Sequence, residues 1–192
     1  MIEKLESIDH SLVLAINAMH STFLDSLMWF LSGSSILLIL IPFVFYFLFK
    51  AFSWKQLIWI FIAIVLTVIL TDQLSVHAFK EVFQRYRPSH NLLLKSQLHL
   101  HEYPDGSFYG GGKYSFVSSH AANYFGILTI ISSLIRQGWA KILLFIIALL
   151  VIYSRVYLGV HYVSDVLCGA LLGFGLAQFV LQFLLLKKIE VS

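Results

Sequence analysis

The stretch from Ser26 to Phe49 reads SLMWFLSGSSILLILIPFVFYFLF and contains no Asp, Glu, Lys or Arg. About 20 mostly apolar residues suffice to cross a bilayer as a helix. This run alone therefore points away from water as the solvent of the fold. The rest of the chain agrees. Of the 192 residues, 59% are hydrophobic, 16% aromatic and only 12% charged, and mean hydropathy is +0.84. An average soluble domain carries about 25% charged residues. A chain of this length has too little interior to hide so much apolar surface. The composition excludes a soluble globular domain and a disordered chain. The single cysteine, Cys168, excludes an internal disulfide framework; it reads as a small packing residue in a helix.

Working outward, a second span is expected from Gln56 through Thr71, continuing past Asp72 toward Lys80. A third is expected over Tyr114–Ile135, a fourth from Trp139 to about Val160, and a fifth over Val166–Leu186. Residues 1–22 place Leu5, Ile8, Leu12, Ile16 and Met19 at helical spacing, with Glu6, Asp9, His10 and Asn17 elsewhere. That pattern predicts an interfacial amphipathic helix, or a sixth span if it tilts inward. No basic segment precedes an apolar run at the N-terminus, so no cleavable signal peptide is expected. The reading is an all-α membrane bundle of five to six helices, one domain over residues 1–192. One polar loop, 88–115, connects the second and third spans.

Short loops set the orientation. Lys50, Lys55, Arg136, Lys141, Lys187 and Lys188 fall on one side, opposed there only by Glu190, and the other nine acids fall on the other side. The positive-inside rule makes the first side cytoplasmic, with Trp54 and Trp139 as anchors at that boundary. The net charge of +3 is unclustered and gives no reason to expect a nucleic-acid partner.

Ionisable residues at the edge of apolar spans are costly and suggest function. They gather in three clusters: Lys80-Glu-Val-Phe-Gln-Arg-Tyr-Arg87-Pro88, Val117-Ser118-Ser119-His120, and Ser154-Arg155 through His161 to Asp165. Lys80 and Arg87 are seven apart and would share a helix face with Gln73, His77 and Gln84. Span parity brings all three clusters to one membrane surface. Lys80, Arg87 and Arg155 can neutralise a phosphate, the arginines bidentately. Ser118 reads as an N-cap whose following amides would hold an anion. His161 and Asp165, four apart, fit a nucleophile and the carboxylate that orients it. His120 would serve as general acid. No cofactor or metal is required, because three side-chain cations can stabilise the phosphoryl oxygens.

The clusters resemble the type 2 phosphatidic acid phosphatase superfamily, whose pattern is Lys-x6-Arg-Pro, then Pro-Ser-Gly-His, then Ser-Arg-x5-His-x3-Asp. The first and third match fully; in the second, Val117 stands for Pro and Ser119 for Gly. The resemblance covers nearly the whole chain and implies a membrane lipid phosphatase. It implies phosphate binding by Lys80, Arg87, Ser118, Ser119 and Arg155, acid catalysis by His120, a phosphohistidine on His161, and Asp165 as its orienter. With its small size and compact outer loop the chain looks like the members that recycle undecaprenyl diphosphate, and the wording around these motifs also resembles lipid A phosphatases; phosphatidate and phosphatidylglycerophosphate are further candidates. The partner expected is thus an amphiphilic phosphorylated lipid, met at the outer face of a bacterial-type inner membrane. A lipid phosphotransferase using the same phosphohistidine is the alternative, and a silent phosphate-lipid binder the third reading.

Other features weigh less. Asp72 and His77 are expected to hydrogen-bond within the bundle. His99, His101, Glu102 and Asp105 have no specific metal-site spacing. Gly110, Gly111 and Gly112 before Lys113 lack a full phosphate-loop pattern and read as a hinge. Gly169, Gly173 and Gly175 are expected to permit close helix packing.

Overall fold

A computed structural model describes residues 2–189. Every regular element in that range is helical. The helices are α1 (Ile2–Asn17), α2 (Thr22–Ser32), α3 (Leu37–Ala51), α4 (Trp54–Gln73), α5 (Glu81–Phe83), α6 (Ser119–Leu134), α7 (Gly138–Tyr157), α8 (Val163–Val180) and α9 (Leu186–Ile189). A π-helical turn, Leu74–Lys80, joins α4 to α5, and another, Leu181–Leu185, joins α8 to α9. Among the described residues, four continuous helical stretches are long and apolar enough to cross a membrane: Ser34–Ala51, Trp54–Phe83, Gly138–Tyr157 and Val163–Ile189.

Two expected spans differ from this. The run from Ser26 to Phe49 is broken at Gly33, whose extended backbone ends α2, so only its second half continues as a crossing helix. The third span begins at Ser119 rather than Tyr114, because Ser118 caps it. With 16 residues, α6 is about 24 Å long at 1.5 Å per residue, less than the roughly 30 Å hydrocarbon core. It sits inside the bundle, burying Ala121, Ala122, Gly126, Ile130 and Ile131.

Small residues set the tightest packing. A Cβ on Gly169 would collide with the Ser118 carbonyl, and one on Gly173 with the Ala122 backbone. These glycines let α8 lie directly against α6. Gly175 faces open space, so the expected packing role stops at Gly173. One core, with Leu48, Ile60, Ala63, Ile130, Ala177 and Leu181, fills the end of the bundle away from the loop. Another, with Val13, Ala121, Val156, Tyr162 and Val166, fills the opposite end.

Helix α1 is amphipathic in the reverse sense to that expected of a surface helix on a soluble protein. Its apolar Leu5, Ile8 and Leu12 are exposed, as is Met19 just beyond it, whereas Asp9, Val13 and Asn17, at four-residue spacing, are buried against the bundle. Asn17 Nδ2 donates to the Tyr157 carbonyl at 2.7 Å and to that of His99 at 2.8 Å, and its Oδ1 accepts from His99 N. The docking face thus carries Asp9 and Asn17 beside Val13, Leu14 and Ile16, which pack into the core, so Ile16 leaves the expected apolar stripe. Glu190, the single acid on the basic side, lies outside the described residues.

The segment between Phe83 and Ser119 is irregular, with short 3-10 turns at Pro88–His90 and Lys95–Gln97. Isolated bridges pair Tyr86 with Tyr114 and Glu102 with Phe108. Trp29 of α2 stacks on His101 with centroids 3.8 Å apart, and His20 stacks on His99 at 4.1 Å. These rings fasten the loop over the end of the bundle. The histidines there are engaged in stacking, and His99 Nε2 also lies 3.3 Å from Asp25 Oδ2.

Candidate active site

The three polar clusters meet at the loop end of the bundle, though not by the helical phase expected for the first. The helix carrying Lys80 switches to π geometry over Leu74–Lys80 and ends at Phe83. Gln84 then turns through the left-handed region at φ 46°. Arg87 therefore does not share a helix face with Lys80. It arrives on extended chain, where Ser115 N bonds the Arg85 carbonyl and Arg87 N bonds that of Lys113. The expected stripe fails for Gln84, and His77 pairs with Glu81 at the surface at 2.9 Å instead of bonding inside the bundle. Asp72 does take a bundle contact, from Asn123 Nδ2 at 3.5 Å.

Lys80 Nζ donates to Ser119 Oγ at 2.6 Å, and Ser75 Oγ lies 2.6 Å from the same hydroxyl. Ser118 caps α6 with its side chain accepting from Ala121 N, while its own amide donates to the Asp165 carbonyl at 3.0 Å. Arg87 is buried; its Nε donates to the Tyr114 carbonyl at 3.1 Å, while its Nη1 has no hydrogen-bond partner among the described residues. Arg155 is buried, with Nη2 donating to Tyr109 Oη at 2.9 Å, Nη1 bonded to Ser32 Oγ, and Nε without a hydrogen-bond partner among the described residues. Burial, reinforced by the Arg155 charge, pushes Arg87 down to about 10. Buried guanidinium donors without partners are costly. An anion placed between them would satisfy them.

Gly111 explains the glycine run. Its φ is +64°, and a Cβ there would run into the Arg87 guanidinium. The loop approaches the arginine this closely only without a side chain.

His161 sits in the turn before α8 and is 1% exposed. Its Nδ1 lies 3.6 Å from Asp165 Oδ2, just outside hydrogen-bond range. Burial, then the charges of Arg87, Arg155 and Lys80, hold the imidazole well below its ordinary pKa. Neutral imidazole can act as a nucleophile; imidazolium cannot. Asp165 Oδ2 also accepts from Tyr162 N at 2.8 Å, so the carboxylate caps α8 while facing His161. His120, in the first turn of α6, is within electrostatic reach of Arg155, His161, Arg87 and Lys80.

His120 also lines a cavity of about 790 Å³ that runs between α3, α4, α6 and α7, past Ile41, Ile64, Val68 and Ile127, to Trp54. Its walls are almost wholly apolar. The cations and histidines thus stand at the polar end of a lipid-sized groove.

All eight residues expected from the sequence gather here. Five more residues hold them: Arg85, Asp9, Ser75, Ser32 and Tyr109. Arg85 lay within the first cluster but was given no role there, the cations assigned being Lys80, Arg87 and Arg155. The other four carry no local signal.

A family model described as the PAP2 superfamily matches residues 56–188. A lipid A 4'-phosphatase of Porphyromonas gingivalis is 31% identical over 194 residues, covering 97% of this chain and 77% of that protein. A lipid A 4'-phosphatase of Bacteroides thetaiotaomicron is 35% identical over 173 residues, covering 90% and 75%. Among solved structures, the transmembrane PAP2-type phosphatidylglycerolphosphate phosphatase of Bacillus subtilis aligns with a TM-score of 0.65 at 27% identity, over 94% of this chain and 86% of that one. LpxE of Aquifex aeolicus aligns at 0.61 and 27% identity, over 90% and 94%.

Proposed function

The chain belongs to the PAP2 superfamily and is a membrane lipid phosphatase, and from that premise we propose that it removes a phosphomonoester from a lipid A-class substrate through a phosphohistidine. Lys80, Arg87 and Arg155, with the amides after Ser118, hold the phosphoryl oxygens. His161 attacks phosphorus, forming the N–P bond as the P–O bond to the lipid breaks. His120 gives its proton to the departing oxygen. Water, deprotonated by His120, then attacks phosphorus, and the N–P bond breaks to release inorganic phosphate. Asp165 orients His161 throughout.

The observation that carries this reading is His120 at the junction of two environments. On one side stand the cations; on the other opens the apolar groove. A lipid tail lying in that groove brings its ester oxygen to the general acid. The similarity to two lipid A 4'-phosphatases supports the head-group class.

In the membrane, α6 makes a fifth, short crossing surrounded by the four longer ones, and α1 lies along the bundle at the site end. The basic ends of the helices face the cytoplasm, and the site faces outward from an inner membrane.

Phosphate release by purified protein in detergent with EDTA tests the reading. The panel is lipid A, undecaprenyl diphosphate, phosphatidate and phosphatidylglycerophosphate. Turnover is expected with lipid A and lost by on the order of 10⁴-fold or more in His161→Ala. Full release by His161→Ala would sink the mechanism. Preferred turnover of another lipid would replace the substrate. Label passing to an acceptor hydroxyl instead of to water would make the protein a phosphotransferase.

A further inference from the structure

Asp165 has a second face, turned away from His161. There Arg85 Nη1 donates to Asp165 Oδ1 at 2.9 Å and to Ser164 Oγ at 2.8 Å. The other arm of the same guanidinium, Nη2, donates to Asp9 Oδ2 at 2.8 Å. Asp9 comes from α1 and is 5% exposed. Its Oδ1 accepts from Ser164 N at 3.0 Å, and Ser164 Oγ bonds Oδ2. The Arg85 guanidinium also lies 3.9 Å over the Tyr162 ring. Two carboxylates from opposite ends of the chain thus share one arginine.

The charge arithmetic gives this arrangement a purpose. Arg85 paired with Asp165 alone would cancel the carboxylate and draw it away from His161. Asp9 takes up the other arm of the fork, and the triad Asp9–Arg85–Asp165 keeps a net charge of −1. Asp165 Oδ1 is held by Arg85 and Oδ2 by Tyr162 N, which fixes the carboxylate plane with Oδ2 3.6 Å from His161 Nδ1. A buried ionic triad is a poor way to gain stability, since desolvation offsets much of the attraction. It is a good way to fix an orientation.

We propose that Arg85 and Asp9 are positioning residues for the reaction, acting through Asp165, and that docking of α1 completes the catalytic apparatus. The proposal rests on the reading of His161 as nucleophile and Asp165 as its orienter. It adds that the N-terminal helix is required for phosphoenzyme formation, not only for folding. Small displacements of a positioned group can cost about 10²-fold in rate.

The test uses the full-length protein in detergent with lipid A micelles, comparing Asp9→Asn, Asp9→Glu and Ser164→Ala with the parent and with His161→Ala. For Asp9→Asn, kcat and the rate of the phosphohistidine burst should fall together by roughly 10- to 100-fold, with KM within about 2-fold. Asp9→Glu should recover most of the loss, and Ser164→Ala should lower kcat a few-fold at unchanged KM. Unchanged kcat in Asp9→Asn overturns the proposal. So does a loss in both Asp9 variants that tracks a lowered melting temperature, the mark of a merely structural anchor. Should Asp9→Asn not fold, Ser164→Ala decides: unchanged kcat overturns the proposal. Activity surviving in His161→Ala would instead break the underlying reading, so the two failures are distinguishable.

Discussion

The Lys80 ammonium is bonded to the Ser119 hydroxyl at 2.6 Å, and Ser119 is the position where this chain departs from the glycine of the superfamily's second motif. The departure is therefore not an empty substitution. Ser119 Oγ sits between Lys80 Nζ and Ser75 Oγ, ties the π-helical turn to the start of α6, and holds the lysine where it faces the arginines.

Ser119→Gly restores the common residue and leaves the backbone amide in place, so the fold and the reaction should survive. Lys80 loses its partner. A hydrogen bond to a charged group contributes about 1.5–3 kcal/mol, and kcat/KM for phosphate release should fall by roughly 10-fold. Steady-state kinetics on lipid A micelles measures it. An unchanged kcat/KM would mean that the contact does not position Lys80.

His161 gives a pH signature. Its imidazole is held well below the usual value by burial and by three nearby cations. The folded state therefore binds its proton at lower pH than the unfolded state does. The stabilising difference is present above the unfolded value of about 6.5 and is lost as pH falls below it. Melting temperature should drop on acidification below about 6.5, and less steeply in His161→Ala. Histidine NMR of the substrate-free protein should show His161 neutral well below pH 6.5. A midpoint in the ordinary range would contradict the electrostatic picture.

Gly173→Leu should destabilise the bundle, because the added side chain meets the Ala122 backbone, which has no flexible end to move aside. Overpacking of this kind costs typically about 1–3 kcal/mol. The matched control is Gly175→Leu, whose side chain enters open space. Thermal unfolding in detergent should separate the two clearly. Equal melting temperatures would mean that α6 and α8 are not held by this close approach.

The eight candidate residues were legible in the sequence because their chemistry comes in fixed local spacings: Lys80 to Arg87, Ser118 to His120, Arg155 through His161 to Asp165. Parity of the apolar runs was enough to bring these clusters to one surface, since each crossing reverses the chain. The membrane itself was legible from Ser26–Phe49, because hydropathy is a sum over residues and needs no partner.

What only the tertiary structure decided depends on neighbours distant in the chain. Helical phase put Lys80 and Arg87 on one face, but the π turn shifts the phase at Lys80 and the left-handed Gln84 ends the helix before Arg87. The apolar stripe of α1 was visible, yet nothing local says that Asp9 and Asn17 would dock. Asp9 finds Arg85 across 76 residues and Ser164 across 155. Burying a charge is tolerated only where another part of the fold supplies a counter-charge and hydrogen bonds. Composition and periodicity, which act along the chain, chose the solvent and the chemistry. Packing across it chose the geometry that lets the chemistry work.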